Sequence, residues 1–89
     1  MHRRTCLFSG RVQGVGFRYT AQSVASRHAV KGYVRNLPDG RVELVMEGAE
    51  AEMEEIVREI EQKLDGFVSG RTDQVSPATG EFEDFAIRH

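Results

Sequence analysis

The chain has 89 residues, 39% of them hydrophobic, with nine glycines. This is a globular composition, and the length suits one domain over residues 1–89, too short for a two-lobed enzyme or a complete dinucleotide fold. The net charge of −2 argues against a dedicated nucleic-acid binder, and one cysteine with three scattered histidines offers neither a disulfide nor metal-ligand spacing. No apolar run nears the ~18 residues of a membrane span, and nothing after Met1-His2-Arg3-Arg4 reads as a signal peptide. The expectation is therefore a cytosolic chain with no membrane or nucleic-acid partner, monomeric, and without a metal.

Charge is unevenly spread. Residues 1–41 carry a net +7 and residues 42–89 a net −9. Either the first half faces an anion, or the two halves balance one another in the folded surface.

Residues 5–9 form a short β-compatible run closed by Gly10. Gly10-Arg11-Val12-Gln13-Gly14-Val15-Gly16 then places three glycines in seven residues, a loop. Phe17, Ala21, Val24, Ala25 and His28 follow at i, i+4, i+7, i+8 and i+11, one face of a helix of about three turns. Residues 30–36 are β-rich, and residues 41–47 alternate, with Val42, Leu44 and Met46 on one face and Val45 an exception on the other. Between them, Leu37-Pro38-Asp39-Gly40 has the residues of a tight turn and predicts a hairpin.

A second helix is written in Met53, Ile56, Val57, Ile60 and Leu64, with glutamates crowding its start and Gly66 as its stop. Glu54–Arg58 and Glu59–Lys63 are spaced as i,i+4 pairs. Residues 71–75 offer few apolar side chains and predict a short or irregular edge strand, residues 76–80 a turn, and residues 82–88 a closing strand. The order is βαββαβ, and a single apolar stripe on each helix puts both on one face of a four-stranded antiparallel sheet. The expected class is α+β, a ferredoxin-like two-layer sandwich, which does not settle function.

The loop before the first helix carries the chemistry. Gly14 and Gly16 let the backbone turn tightly at a helix start, where free N–H groups and the helix dipole make an anion cradle, and Arg18 can fork onto the same anion. A plain glycine-rich connection beside a surface arginine is the other reading. Tyr19 stands where a dinucleotide fingerprint needs its third glycine, no Gly-Lys-Ser/Thr occurs, and Cys6 has no activating neighbour in sequence. No covalent nucleophile is visible, so any hydrolysis would use water directly. Asn36, at a strand end before a turn, reads by itself first as a turn residue that satisfies the backbone.

Gly10-Arg11-Val12-Gln13-Gly14-Val15-Gly16-Phe17-Arg18 resembles the first signature of the acylphosphatase family, and Gly32-Tyr33-Val34-Arg35-Asn36-Leu37-Pro38-Asp39-Gly40-Arg41-Val42-Glu43 the second. Thr79-Gly80-Glu81-Phe82 and Phe85-Ala86-Ile87-Arg88 resemble its closing strand. The resemblance implies hydrolysis of acyl phosphates to carboxylate and phosphate, without metal or organic cofactor. It implies that the backbone of Gln13, Gly14, Val15, Gly16, Phe17 and Arg18 binds the phosphoryl group, that Arg18 grips it and that Asn36 holds the attacking water. Acylphosphatase-like domains also occur at the front of larger carbamoyl-transfer proteins; with the chain ending at Arg88-His89, a free-standing enzyme is expected. An RNA-recognition reading fails because residues 41–47 lack the aromatics it needs.

Overall fold

A computed structural model describes residues Met1–His89. Seven elements follow in chain order: β1 (His2–Gly10), α1 (Phe17–Ala25), β2 (Lys31–Asn36), β3 (Val42–Gly48), α2 (Glu50–Lys63), β4 (Val68–Pro77) and β5 (Phe85–Arg88). The sheet order is β4-β1-β3-β2-β5. The first four of these strands pair antiparallel, in the split βαβ order of the ferredoxin-like sandwich. The expected closing strand is present as β5, but it makes the sheet five-stranded instead of four-stranded and lies parallel to β2, with Gly32 opposite Phe85.

Alternation decides which face is buried. Cys6, Phe8, Val34, Val42, Leu44 and Met46 from the strands meet Phe17, Ala21, Val24, Met53, Ile56, Val57 and Ile60 from the helices in one core. Helix α2 has the expected stripe and length. Of its two expected i,i+4 pairs, Lys63–Glu59 is present at 4.0 Å, whereas Glu54 turns away to Arg4 at 2.7 Å. Arg4 is only 9% exposed on the helix face of β1, so its buried charge draws Glu54 from α2 and Asp73 from β4.

Three boundaries differ from the sequence expectation. Helix α1 stops at Ala25 because Arg27 N–H and His28 N–H bond three residues back, to Val24 and Ala25, and His28 leaves the helical stripe. Strand β4 is ten residues long and pairs with β1 from His2–Pro77 to Ser9–Gly70, with a shift of register between Ser9 and Gly10. None of its residues is fully buried, so an apolar pattern could not reveal it. The backbone ladder and the charges of Arg71 and Asp73 hold this edge instead.

The third difference is at the end. Phe82 lies outside β5, in a strap of residues 78–84 that crosses the open face of the sheet. Glu47 accepts bonds there from Thr79 N–H, Thr79 Oγ1 and Gly80 N–H, while Phe82 meets the Tyr33 ring edge-on at 5.8 Å. Val45, paired with Tyr33 on this face, is 3% exposed although it lies opposite the core.

Candidate active site

Val12 (0% exposed) and Phe17 (2%) pin the two ends of the glycine loop into the core, Phe17 against Phe8 at 4.8 Å between ring centres. Between these anchors the backbone bows outward. Gly14 and Gly16 both adopt φ +79°, the left-handed region that a Cβ penalises. Gly16 is the N-cap of α1 and has no side chain with which to satisfy the helix's first N–H groups. The first bond of the helix runs from Thr20 N–H to the Gly16 carbonyl. The N–H groups of Gly14, Val15, Gly16, Phe17, Arg18 and Tyr19 consequently make no hydrogen bond within the protein. A run of free donors at the positive end of a helix dipole is suited to an anion.

The hairpin turn is placed beside this loop by Gln13, whose amide Nε2 donates to the carbonyls of Leu37 (2.8 Å) and Arg41 (2.9 Å). The turn completes itself with Leu37 N–H to the Arg41 carbonyl and with Arg41 N–H to Asp39 Oδ1. Asn36 is therefore not needed to cap it, and its side-chain amide makes no hydrogen bond in the protein. It faces a concavity of about 260 Å³ lined also by Val12, Gly14, Gly16, Phe17, Arg18 and Tyr19.

Of the residues singled out in sequence, Gly14, Gly16, Phe17, Arg18 and Asn36 meet at this concavity. Gln13 and Val15 do not line it. The Gln13 side chain braces the loop against the turn, and Val15 packs against the core. Two neighbours were missed. Tyr19, 71% exposed, forms the rim, and the signal for it was its place beside Arg18 and off the apolar stripe. His89, whose ring meets Arg18, left no signal in the sequence.

Electrostatics separate Arg18 from most other basic residues of the first half. Arg3, Arg4, Arg27, Arg35 and Arg41 each face a carboxylate within 4.0 Å. Arg3, Arg4, Arg27 and Arg35 pair with glutamates of the second half, so part of the charge asymmetry is cancelled inside the fold. Arg18 has no carboxylate partner, which leaves its charge available at the concavity.

Cys6 is buried, and its thiol donates to Asp73 Oδ1 at 3.0 Å. Burial pushes the thiol up to about 12, helped by the Asp73 charge and only partly opposed by Arg4. It is not a nucleophile at neutral pH. At the other end of β2, a larger concavity of about 490 Å³ is lined by His28, Val30, Lys31, Glu47 and Phe82 among others. There His28 Nδ1 bonds Glu52, with Glu55 at 4.0 Å, a cluster that sequence spacing did not disclose. Glu47 is fully engaged by the strap.

The acylphosphatase family model matches residues 4–87. The chain belongs to the acylphosphatase family. It is a hydrolase acting on acyl phosphates. It is 48% identical over 86 residues to the acylphosphatase of Paenarthrobacter aurescens (strain TC1), a match covering 96% of this chain and 92% of that protein. The crystal structure of acylphosphatase from Bacillus subtilis superposes with a TM-score of 0.92 at 32% identity, over the full length of both chains. HypF from T. kodakarensis contains a similar unit, with TM-score 0.84 and 28% identity over all of this chain and 12% of that one. No helix of this acylphosphatase is long and apolar enough to cross a membrane.

Proposed function

We propose that the phosphoryl group of the acyl phosphate binds at the loop of residues 13–18, held by its backbone N–H groups and the Arg18 guanidinium. The observation that carries this reading is the run of unpartnered N–H groups from Gly14 to Tyr19, beside a concavity that also holds an arginine without a carboxylate partner and an unengaged asparagine amide. Such donors stabilise charge on the equatorial oxygens of the phosphoryl group as it transfers, and being fixed by the fold they need no reorganisation.

Asn36 orients the attacking water by accepting one of its hydrogens at the amide oxygen. The water oxygen forms a bond to phosphorus as the bond between phosphorus and the acyl oxygen breaks, and the electron pair leaves on the carboxylate. An amide is too weak a base to take the proton, so a phosphate oxygen receives it. The acyl phosphate already has a good leaving group, so positioning and charge stabilisation suffice without a protein base.

The test is hydrolysis of benzoyl phosphate by the wild type beside Arg18→Ala and Asn36→Ala. Arg18→Ala is expected to lose turnover and phosphate inhibition together. Asn36→Ala is expected to lose about 10²-fold in kcat while phosphate still inhibits. An Asn36 variant that loses phosphate affinity as much as kcat would contradict the water-orienting role. EDTA is expected to leave the rate unchanged. Phosphate bound through Arg18 without any turnover would turn the reading to a binding module.

A further inference from the structure

We infer that Tyr19 is the acyl-group subsite of this chain and that the substrate it favours carries a planar aromatic acyl group. This rests on the phosphoryl site proposed above and names the other half of the substrate.

Tyr19 is the one exposed aromatic ring in the protein. Phe8 and Phe17 are buried, and Tyr33, Phe67, Phe82 and Phe85 are half-buried against the fold. Tyr19 is instead 71% exposed, on the first turn of α1 directly after Arg18. A ring that gives the fold so little burial is not explained by packing.

Its position is at the mouth of the phosphate concavity, whose floor is closed by Val12 and Phe17. Asn36 enters that concavity from β2, while every other lining residue belongs to the loop or to α1. With the water on Asn36, in-line displacement sends the leaving acyl group out of the cradle on the side away from β2, where Tyr19 lines the concavity. The same ring borders a second shallow concavity of about 270 Å³, shared with Thr20, Ser23 and Lys63.

That second hollow gives room beyond the two carbons of an acetyl group. Tyr19 is the one hydrophobic residue in its lining, and Thr20, Ser23 and Lys63 bring hydroxyls and an ammonium that an alkyl chain would have to cover. What it offers an acyl group is the face of Tyr19, and a flat ring stacks there without burying polar groups unpaired.

The experiment compares kcat/KM for benzoyl phosphate and acetyl phosphate in the wild type, Tyr19→Ala, Tyr19→Leu and Tyr19→Phe, with inhibition by inorganic phosphate measured alongside. The ratio of benzoyl to acetyl phosphate is expected to fall about five- to tenfold in Tyr19→Ala. It should stay low in Tyr19→Leu and return in Tyr19→Phe, with the loss appearing in KM for benzoyl phosphate. A ratio that is unchanged in Tyr19→Ala overturns the subsite while leaving the phosphoryl site standing. Restoration by Leu as fully as by Phe overturns the aromatic preference. No turnover of either substrate by the wild type overturns the reaction and the subsite together.

Discussion

Arg18 donates from Nη1 to Nδ1 of His89 at 2.9 Å, joining the first turn of α1 to the residue that follows β5. A guanidinium has no acceptor, so the imidazole must accept, with Nδ1 unprotonated. The contact uses one of five N–H donors and leaves the others for a phosphoryl oxygen. It also removes rotamer freedom from a side chain that has no carboxylate to hold it.

His89 is expected to tune the grip of Arg18 on phosphate. An exposed neutral acceptor bonded to a guanidinium contributes about 0.5–1.5 kcal/mol. His89→Ala should therefore weaken inhibition by phosphate about two- to tenfold, and His89→Gln, whose amide oxygen can accept the same bond, should recover much of it. Equal phosphate inhibition in the wild type and His89→Ala would show that the contact does not organise Arg18.

Gly16 tests whether the loop's shape, and not only its sequence, makes the cradle. A Cβ there meets nothing within 4 Å, so no clash is at issue. The penalty is conformational, because φ +79° is left-handed and costs an L-residue about 1–2 kcal/mol. Gly16→Ala is expected to lower stability by that order in urea unfolding. Because the chain can relieve the strain only by turning N–H groups away from the concavity, phosphate inhibition should fall at least about tenfold. A variant with lowered stability but unaltered phosphate inhibition would mean the N–H groups of this loop do not hold the anion.

How much of this could be read beforehand depended on whether a feature is local. The hairpin at Pro38-Asp39-Gly40 and the α2 stripe from Met53 to Leu64 rest on residues a few positions apart, and both were legible. So were the loop and Arg18, which lie within six residues. Strand β4 was underestimated because an edge strand held by its backbone and by Arg71 and Asp73 carries no apolar signature. The strap was invisible for a different reason. Glu47 and Thr79 are 32 residues apart, and nothing near either one announces the other. Arg18 and His89, 71 apart, are the same case.

Cys6 gives a probe of folding. Its thiol is 0% exposed and pushed up to about 12 by burial and by Asp73. Alkylation by iodoacetamide at pH 8 is expected to be negligible in the native protein and rapid in urea, where the thiol returns to ordinary acidity. Fast alkylation without denaturant would mean that the β1–β4 edge opens readily.

Acid should act on the fold through Glu47 and Asp73. Burial pushes the Glu47 carboxyl up, but Thr79 N–H, the Arg3 guanidinium, Gly80 N–H and the Thr79 hydroxyl outweigh it and hold it at about 2, against an ordinary 4.5. Asp73 is likewise raised by burial and brought down further by bonds from Cys6, Arg71 and Arg4, to about 2 against 3.8. Both groups are thus more acidic folded than unfolded. Their stabilisation is complete above the unfolded values and is lost as pH falls from about 4.5 through about 2. Glu47→Gln separates the strap from the rest, because an amide keeps the size of the side chain but not the charge that Arg3 faces at 2.8 Å. At pH 7 the variant should unfold at lower urea than the wild type, and the gap should close as pH approaches 2. A gap that stays constant from pH 7 to pH 2 would show that the strap is held by shape and not by the Glu47 carboxylate.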